Sequence, residues 1–175
     1  MEKKLRCLIP QEEIATMVRR VAQELDQDYK DRSPVLVGIL KGAFVYLADL
    51  IRHLKTPIRN IEFIRLSSYG VSTISSGRAV VVTGLPKGTV TGQDVILIED
   101  IVDTGITTTA ALRYLRRDKP ASLRLCTLLD KPSRRRVPVS IDYVGKTVPE
   151  GFVVGYGTDF DQRYRQLPAI YTLRE

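Results

Sequence analysis

The sequence predicts an α/β fold, a mainly parallel central sheet with helices on both faces, and three observations predict it. Val95–Ile98 is an apolar run with no polar alternation, the pattern of a strand buried on both faces, and Val35–Leu40 and Ser122–Leu129 read as further apolar strands. Segments with apolar residues at helical spacing follow two of these runs. Polar insertions Lys41-Gly42, Glu99-Asp100, Lys131 and Asp159 each fall just after an expected strand. Open parallel sheets bind ligands at that carboxyl edge, so four separate segments point to one place.

In chain order, Ile14, Val18, Val21, Ala22 and Leu25 predict an amphipathic helix over about residues 11–26. Residues 29–34 are polar and turn-like, and Val35–Leu40 is the first buried strand. After Lys41-Gly42 comes a helix with Phe44, Leu47, Ala48, Ile51 and Leu54 expected on its packed face. Ile58–Leu66 supplies the next strand and completes a βαβ unit, expected to be right-handed. Residues 67–77, rich in small and hydroxylic side chains, read as the long mobile tip of a hairpin whose second arm is Ala79–Thr83. Such a tip serves either as a lid over a site or as a plain surface hairpin. Residues 85–93 form a turn region leading to the central strand at Asp94. Thr104-Gly105-Ile106-Thr107 turns the chain into a helix over 107–117, and Asp118-Lys119-Pro120 ends it. Asp130-Lys131-Pro132 terminates the following strand. Beyond Val137 a short strand around Ile141, Tyr143 and Val144 is expected, then a turn at 149–151 and a strand over 152–155. Tyr164, Leu167, Ile170 and Tyr171 return as a small hood over the sheet edge or the site. There is no repeat or linker, and residues 1–175 read as one domain.

The chain has 175 residues, 43% of them apolar and 27% charged, which fits a soluble globular protein. No apolar run is long enough for a membrane helix and Met-Glu-Lys-Lys lacks the core of a signal peptide, so the expected location is the cytosol, with no membrane partner. A net charge of +7 favours anionic partners, phosphorylated metabolites or RNA. Arg134-Arg135-Arg136 is the densest basic run and reads as a solvated loop, the other reading being a contact to nucleic acid or diphosphate. Cys7 and Cys126, far apart in sequence, read as reduced packing residues.

The chemistry concentrates around residues 95–109. Glu99, Asp100 and Asp103 follow the buried strand, and the turn at 104–107 opens a helix whose first N–H groups can hold a phosphate. Ordinary helix capping by Asp and Thr produces the same local pattern. An anion cradle beside carboxylates suits a ligand carrying phosphate together with sugar hydroxyls or Mg2+. Phosphate-loop, dinucleotide, nucleophile-elbow and Cys-x-x-Cys motifs are all missing. The one histidine, His53, lies on a helix away from these loops, which leaves acid and base work to carboxylates or lysines.

The string Val95–Thr107 resembles the 5-phosphoribosyl 1-diphosphate (PRPP) signature of type I phosphoribosyltransferases. Its Glu-Asp-Ile-x-Asp-Thr-Gly form is similar to the hypoxanthine branch. Leu40-Lys41-Gly42 resembles that branch's diphosphate loop, Ser68-Tyr69 its closing loop, and Leu128–Lys131 its purine-reading segment. Phe152–Tyr156, with Asp159 and Arg165, resembles its base-stacking and metal segment. Ile106 and Gly157-Thr158 depart from the relatives' usual residues.

The resemblance implies purine salvage: N9 of a 6-oxopurine displaces diphosphate from C1 of PRPP, giving IMP or GMP. Thr104, Gly105, Ile106, Thr107 and Thr108 would hold the 5′-phosphate. Glu99 and Asp100 would bind ribose hydroxyls near Mg2+, which requires the strand to have ended by Glu99, because regular geometry points neighbours to opposite faces. Asp103 would be the general base, a simple N-cap being the alternative. Lys131 would donate to O6, and Phe152 would stack on the base unless it is a core aromatic; Val153 and Asp159 complete the purine segment. Asp159 would also bind Mg2+, while Lys41, Gly42 and Arg165 hold diphosphate, with a cis peptide at Leu40-Lys41 in relatives. Homodimers or homotetramers are implied as well. Two rival expectations remain, an RNA-binding regulator of the pyrimidine-operon type with the same fold, and a transferase preferring xanthine.

Overall fold

The computed structural model describes residues 4–68 and 79–174. A six-stranded sheet runs in the order β4-β3-β2-β5-β6-β7, with β2 Val35–Leu40, β3 Asn60–Ser68, β4 Ala79–Thr83, β5 Asp94–Val102, β6 Ser122–Asp130 and β7 Tyr143–Thr147. All neighbours are parallel except β3 and β4, an antiparallel edge pair. The anticipated mainly parallel α/β architecture is therefore present. The tip between β3 and β4, which includes Tyr69, lies outside the described residues.

Strand β5 is central because, past Asp94, its first half is apolar: Val95, Ile96, Leu97 and Ile98 are all buried. Burying each such side chain contributes roughly 1.5–3 kcal/mol. Ile96 and Ile98 face the cluster formed with α1 (Gln11–Asp28) and α2 (Phe44–His53), whereas Val95 and Leu97 face the cluster containing Ala111, Leu112 and Leu115 of α3 (Ile106–Arg116). Helices therefore cover both faces.

Several expectations need correction. On α2 the buried residues are Tyr46, Leu47 and Leu50, and Phe44 is 45% exposed, so the packed face is rotated from the one expected. Tyr46 reaches across the core, its hydroxyl 3.2 Å from Cys126 Sγ. Tyr29, placed by its neighbours in a polar turn, is buried. Cys7 is exposed and does not serve packing; Cys126 is buried. The hood is not made by the C-terminal segment alone. β1 (Lys4–Ile9), unanticipated, pairs antiparallel with β9 (Ile170–Arg174), which pairs with β8 (Val153–Val154) in a separate three-stranded sheet.

Strand β5 also runs further than required, through Glu99 and Asp100 to Val102. The condition that it end by Glu99 fails, yet its alternation does not survive intact. Ile101 packs with the cluster of Ile96 and Ile98, and Val102 with that of Val95 and Leu97, so side-chain parity inverts between Ile98 and Val102. Asp100 Oδ1 accepts from the Ile101 N–H at 2.8 Å, and Glu99 Oε1 from the Asp100 N–H at 3.3 Å, local bonds that accompany the inversion. No helix among the described residues is long and apolar enough to cross a membrane. Leu97→Ala, which opens a void at the centre of the sheet, should lower unfolding free energy by roughly 2–5 kcal/mol in urea denaturation.

Candidate active site

The carboxyl ends of β2, β5 and β6 lie side by side in the sheet, so the segments that follow them converge. After β2 the peptide Leu40-Lys41 is cis, and Gly42 passes directly over Asp100. A Cβ at Gly42 would sit 1.8 Å from Asp100 Oδ2, so only glycine permits this approach. Gly42 O in turn lies 2.2 Å from where a Cβ of Gly157 would be, and Gly157 has φ +96°, a conformation other residues rarely adopt. Two glycines thus let three loops stack with almost no space between them.

Glu99 is only 5% exposed. Burial, then the neighbouring Asp100 carboxylate, pushes its pKa well above the ordinary carboxyl value. Burial also raises that of Asp100. Neither carboxylate forms an ion pair among the described residues. No group of three or more potential metal-ligating side chains occurs among those residues, so the pair is a partial donor set.

Asp103 stands where β5 gives way to the turn. Its Oδ2 is 3.1 Å from Lys131 Nζ and 3.5 Å from Arg134 Nη1. Oδ1 is shielded from solvent and has no hydrogen-bond partner among the described residues. Lys131 follows β6, its side chain is 3% exposed, and it also donates to Gly151 O at 3.2 Å. Gly105, φ +82°, precedes α3, and the Thr109 N–H returns to Gly105 O at 2.9 Å. The Thr107 and Thr108 amides come before that first intrahelical bond and are left without helix partners. Ile106 N–H makes a long contact of 3.4 Å to Thr104 Oγ1.

A phosphoribosyl transferase domain model matches residues 9–161. The chain belongs to the phosphoribosyl transferase family. It is 44% identical over 167 residues to the hypoxanthine-guanine phosphoribosyltransferase of Bacillus subtilis strain 168, covering 95% of this chain and 92% of that one. The bifunctional protein TilS/HprT of Listeria innocua is 42% identical over 167 residues, 95% of this chain but 26% of the longer relative. Among solved structures, a hypoxanthine-guanine phosphoribosyltransferase of Bacillus anthracis, with HEPES in its active site, superposes with a TM-score of 0.90 at 36% identity. That match covers 99% of this chain and 100% of that one.

The remaining residues of this phosphoribosyl transferase gather on the hood side. Phe152, 44% exposed, is not a core aromatic; its ring meets Phe160 edge-on with centroids 5.5 Å apart. Val153 is buried in β8. Asp159 pairs with Arg165 at 2.7 Å and accepts from the Gln162 N–H at 2.8 Å. Arg165 donates to Gly157 O at 2.7 Å and to Gln162 Oε1 at 3.3 Å, and Lys41 Nζ reaches the same Oε1 at 3.0 Å. Gln162, with φ +63°, joins the two cations although nothing in the sequence around it marks it out. Ser68 ends β3, and its neighbour Tyr69 is beyond the described residues.

The raised Glu99 pKa has a signed consequence. The folded state holds this proton more tightly than the unfolded chain, so the Glu99 contribution to stability is fully present at low pH and is lost as pH rises from the ordinary carboxyl range through the raised value. In metal-free protein, Glu99→Gln should flatten that decline above the ordinary carboxyl range in urea titrations carried out across a pH series.

Proposed function

We propose that this chain transfers the 5-phosphoribosyl group from PRPP to N9 of hypoxanthine and guanine, releasing diphosphate, as a purine salvage enzyme. One observation carries the reading: a carboxylate and a buried ammonium, Asp103 and Lys131, stand 3.1 Å apart at the mouth of an amide-lined turn. A 6-oxopurine protonated at N7 presents, along one edge, that imidazole N–H and the O6 carbonyl oxygen. The pair complements both, with Lys131 donating to O6 and the Asp103 carboxylate accepting the N7 proton as N9 forms the glycosidic bond. Adenine offers an amino donor in place of O6, which leaves Lys131 facing another donor and disfavours that base.

The reaction separates charge, positive at the ribose carbon and negative on departing diphosphate, and preorganised groups stabilise both. In this reading the amides and hydroxyls from Thr104 to Thr108 hold the 5′-phosphate, and Glu99 and Asp100 take the ribose hydroxyls. Lys41, the Gly42 amide and Arg165 hold diphosphate. Phe152 stacks on the base beside Val153. Mg2+ fits the same place: two buried carboxylates without counter-ions suit an ion that brings most of its oxygen ligands from the substrate. Bound there, Mg2+ would neutralise diphosphate oxygens. Asp159, paired with Arg165, would contribute once that pair loosens. A cytoplasmic location and self-association as a homodimer or homotetramer complete the reading. Exposed Phe44 and Phe63 offer apolar surface for association, which light scattering tests.

The decisive assay supplies PRPP, Mg2+ and hypoxanthine, guanine, xanthine or adenine in turn and follows nucleotide formation. IMP and GMP are expected, and failure with both 6-oxopurines named first would sink the proposal. Asp103→Asn should lower turnover by roughly 10²-fold or more, with the KM for PRPP little changed; wild-type turnover in that variant removes the base role.

A further inference from the structure

Within the run Arg134-Arg135-Arg136 the middle residue departs from the solvated reading: the Arg135 side chain is 17% exposed and lies beneath the phosphate turn. Its Nε–H donates to Asp103 O at 2.9 Å and its Nη2 to Val102 O at 3.1 Å. The same Nη2 pairs with the Asp130 carboxylate at the end of β6. Around this fork the backbone does likewise. Lys131 N–H donates to Val102 O at 3.0 Å, and the Arg136 and Val137 N–H groups both donate to Thr104 O, at 2.9 and 3.0 Å.

Carbonyls of three consecutive residues, Val102, Asp103 and Thr104, are therefore all drawn toward segment 131–137. A trans peptide points its N–H opposite its C=O. Anchoring those three oxygens below aims the amides of Asp103, Thr104 and Gly105 away from the anchor. Gly105 shows how close the fit is, since a Cβ there would stand 2.4 Å from Val137 O and 3.1 Å from Arg135 Cδ.

We infer that Arg135 is a positioning residue for PRPP: its guanidinium, fixed by Asp130, holds the Val102 and Asp103 carbonyls so that the following amides face the sugar phosphate. This rests on the assignment of residues 104–108 to the 5′-phosphate. The fork geometry matters, because one side chain must donate in two directions to two carbonyls and also meet a carboxylate. A lysine ammonium carries charge but lacks that planar arrangement.

The test compares wild type with Arg135→Met, Arg135→Lys and Asp130→Asn. It measures kcat, KM for PRPP and for hypoxanthine, PRPP affinity by calorimetry, and thermal midpoint. Loss of the two carbonyl bonds should raise KM and Kd for PRPP by about tenfold or more, with KM for hypoxanthine changed far less. Arg135→Lys should not restore PRPP affinity, and Asp130→Asn, which only frees the guanidinium, should give an intermediate rise. If Arg135→Met fails to fold, Asp130→Asn carries the comparison. A variant that loses thermal stability but keeps wild-type PRPP affinity in its folded fraction overturns the inference, as does full rescue by lysine. Wild-type protein that binds no PRPP overturns the phosphate assignment itself, a result distinguishable because it appears before any substitution.

Discussion

Desolvation along β5 is the constraint on which the rest of this structure depends. A strand covered on both faces by helices cannot carry charge until the covering stops, so the acids wait for its carboxyl end. There the strand keeps its ladder partners, Glu99 opposite Thr127 and Ile101 opposite Leu129, while its side-chain alternation inverts. Two carboxylates are left in a poorly hydrated place with their pKa values raised and no ion pair among the described residues. Buried charge without a partner is costly. Its presence is understandable if the partner arrives with the substrate.

Close backbone packing turns that edge into a site. Gly42 is over Asp100, and Gly157 is under Gly42 O, so the loop after β2, the end of β5 and the hood are joined through positions where no side chain fits. Gly157-Thr158, which departs from the sequence pattern of the resembling family, is thereby given a local reason: the backbone at 157 is in the left-handed region and in contact with another main chain. Gly155 and Tyr156 also have positive φ, and this contorted stretch returns Arg165 and Asp159 to the edge beside Lys41.

The charges are arranged in two layers. Lys131 and Arg134 lie on the Asp103 carboxylate, where substrate is proposed to bind. Arg135 sits below, committed to main-chain oxygens and Asp130. Arg134 and Arg135, adjacent in the run, thus have unlike roles, which argues against treating it as a uniform basic patch for nucleic acid and is consistent with the family shown by the comparisons.

The buried strands, helix α3 and the cluster of acids before the turn at 104–107 were legible in the sequence, because each is encoded locally: apolar continuity marks a strand covered on both sides, and a glycine-hydroxyl turn marks a helix start. Phe44 was misassigned to a packed face because helical periodicity defines a stripe only within some tens of degrees, and the core chose Tyr46 and Leu50. β1 was invisible because its partner, β9, lies at the other end of the chain, and Lys4–Ile9 is mostly exposed and so has no strong burial pattern. The sequence by itself determined the sheet's central strands and the chemical groups at their ends. Only the tertiary structure decided where those groups point, that Asp103 meets Lys131, and that Arg135 faces inward, because each depends on contacts between segments far apart in the chain.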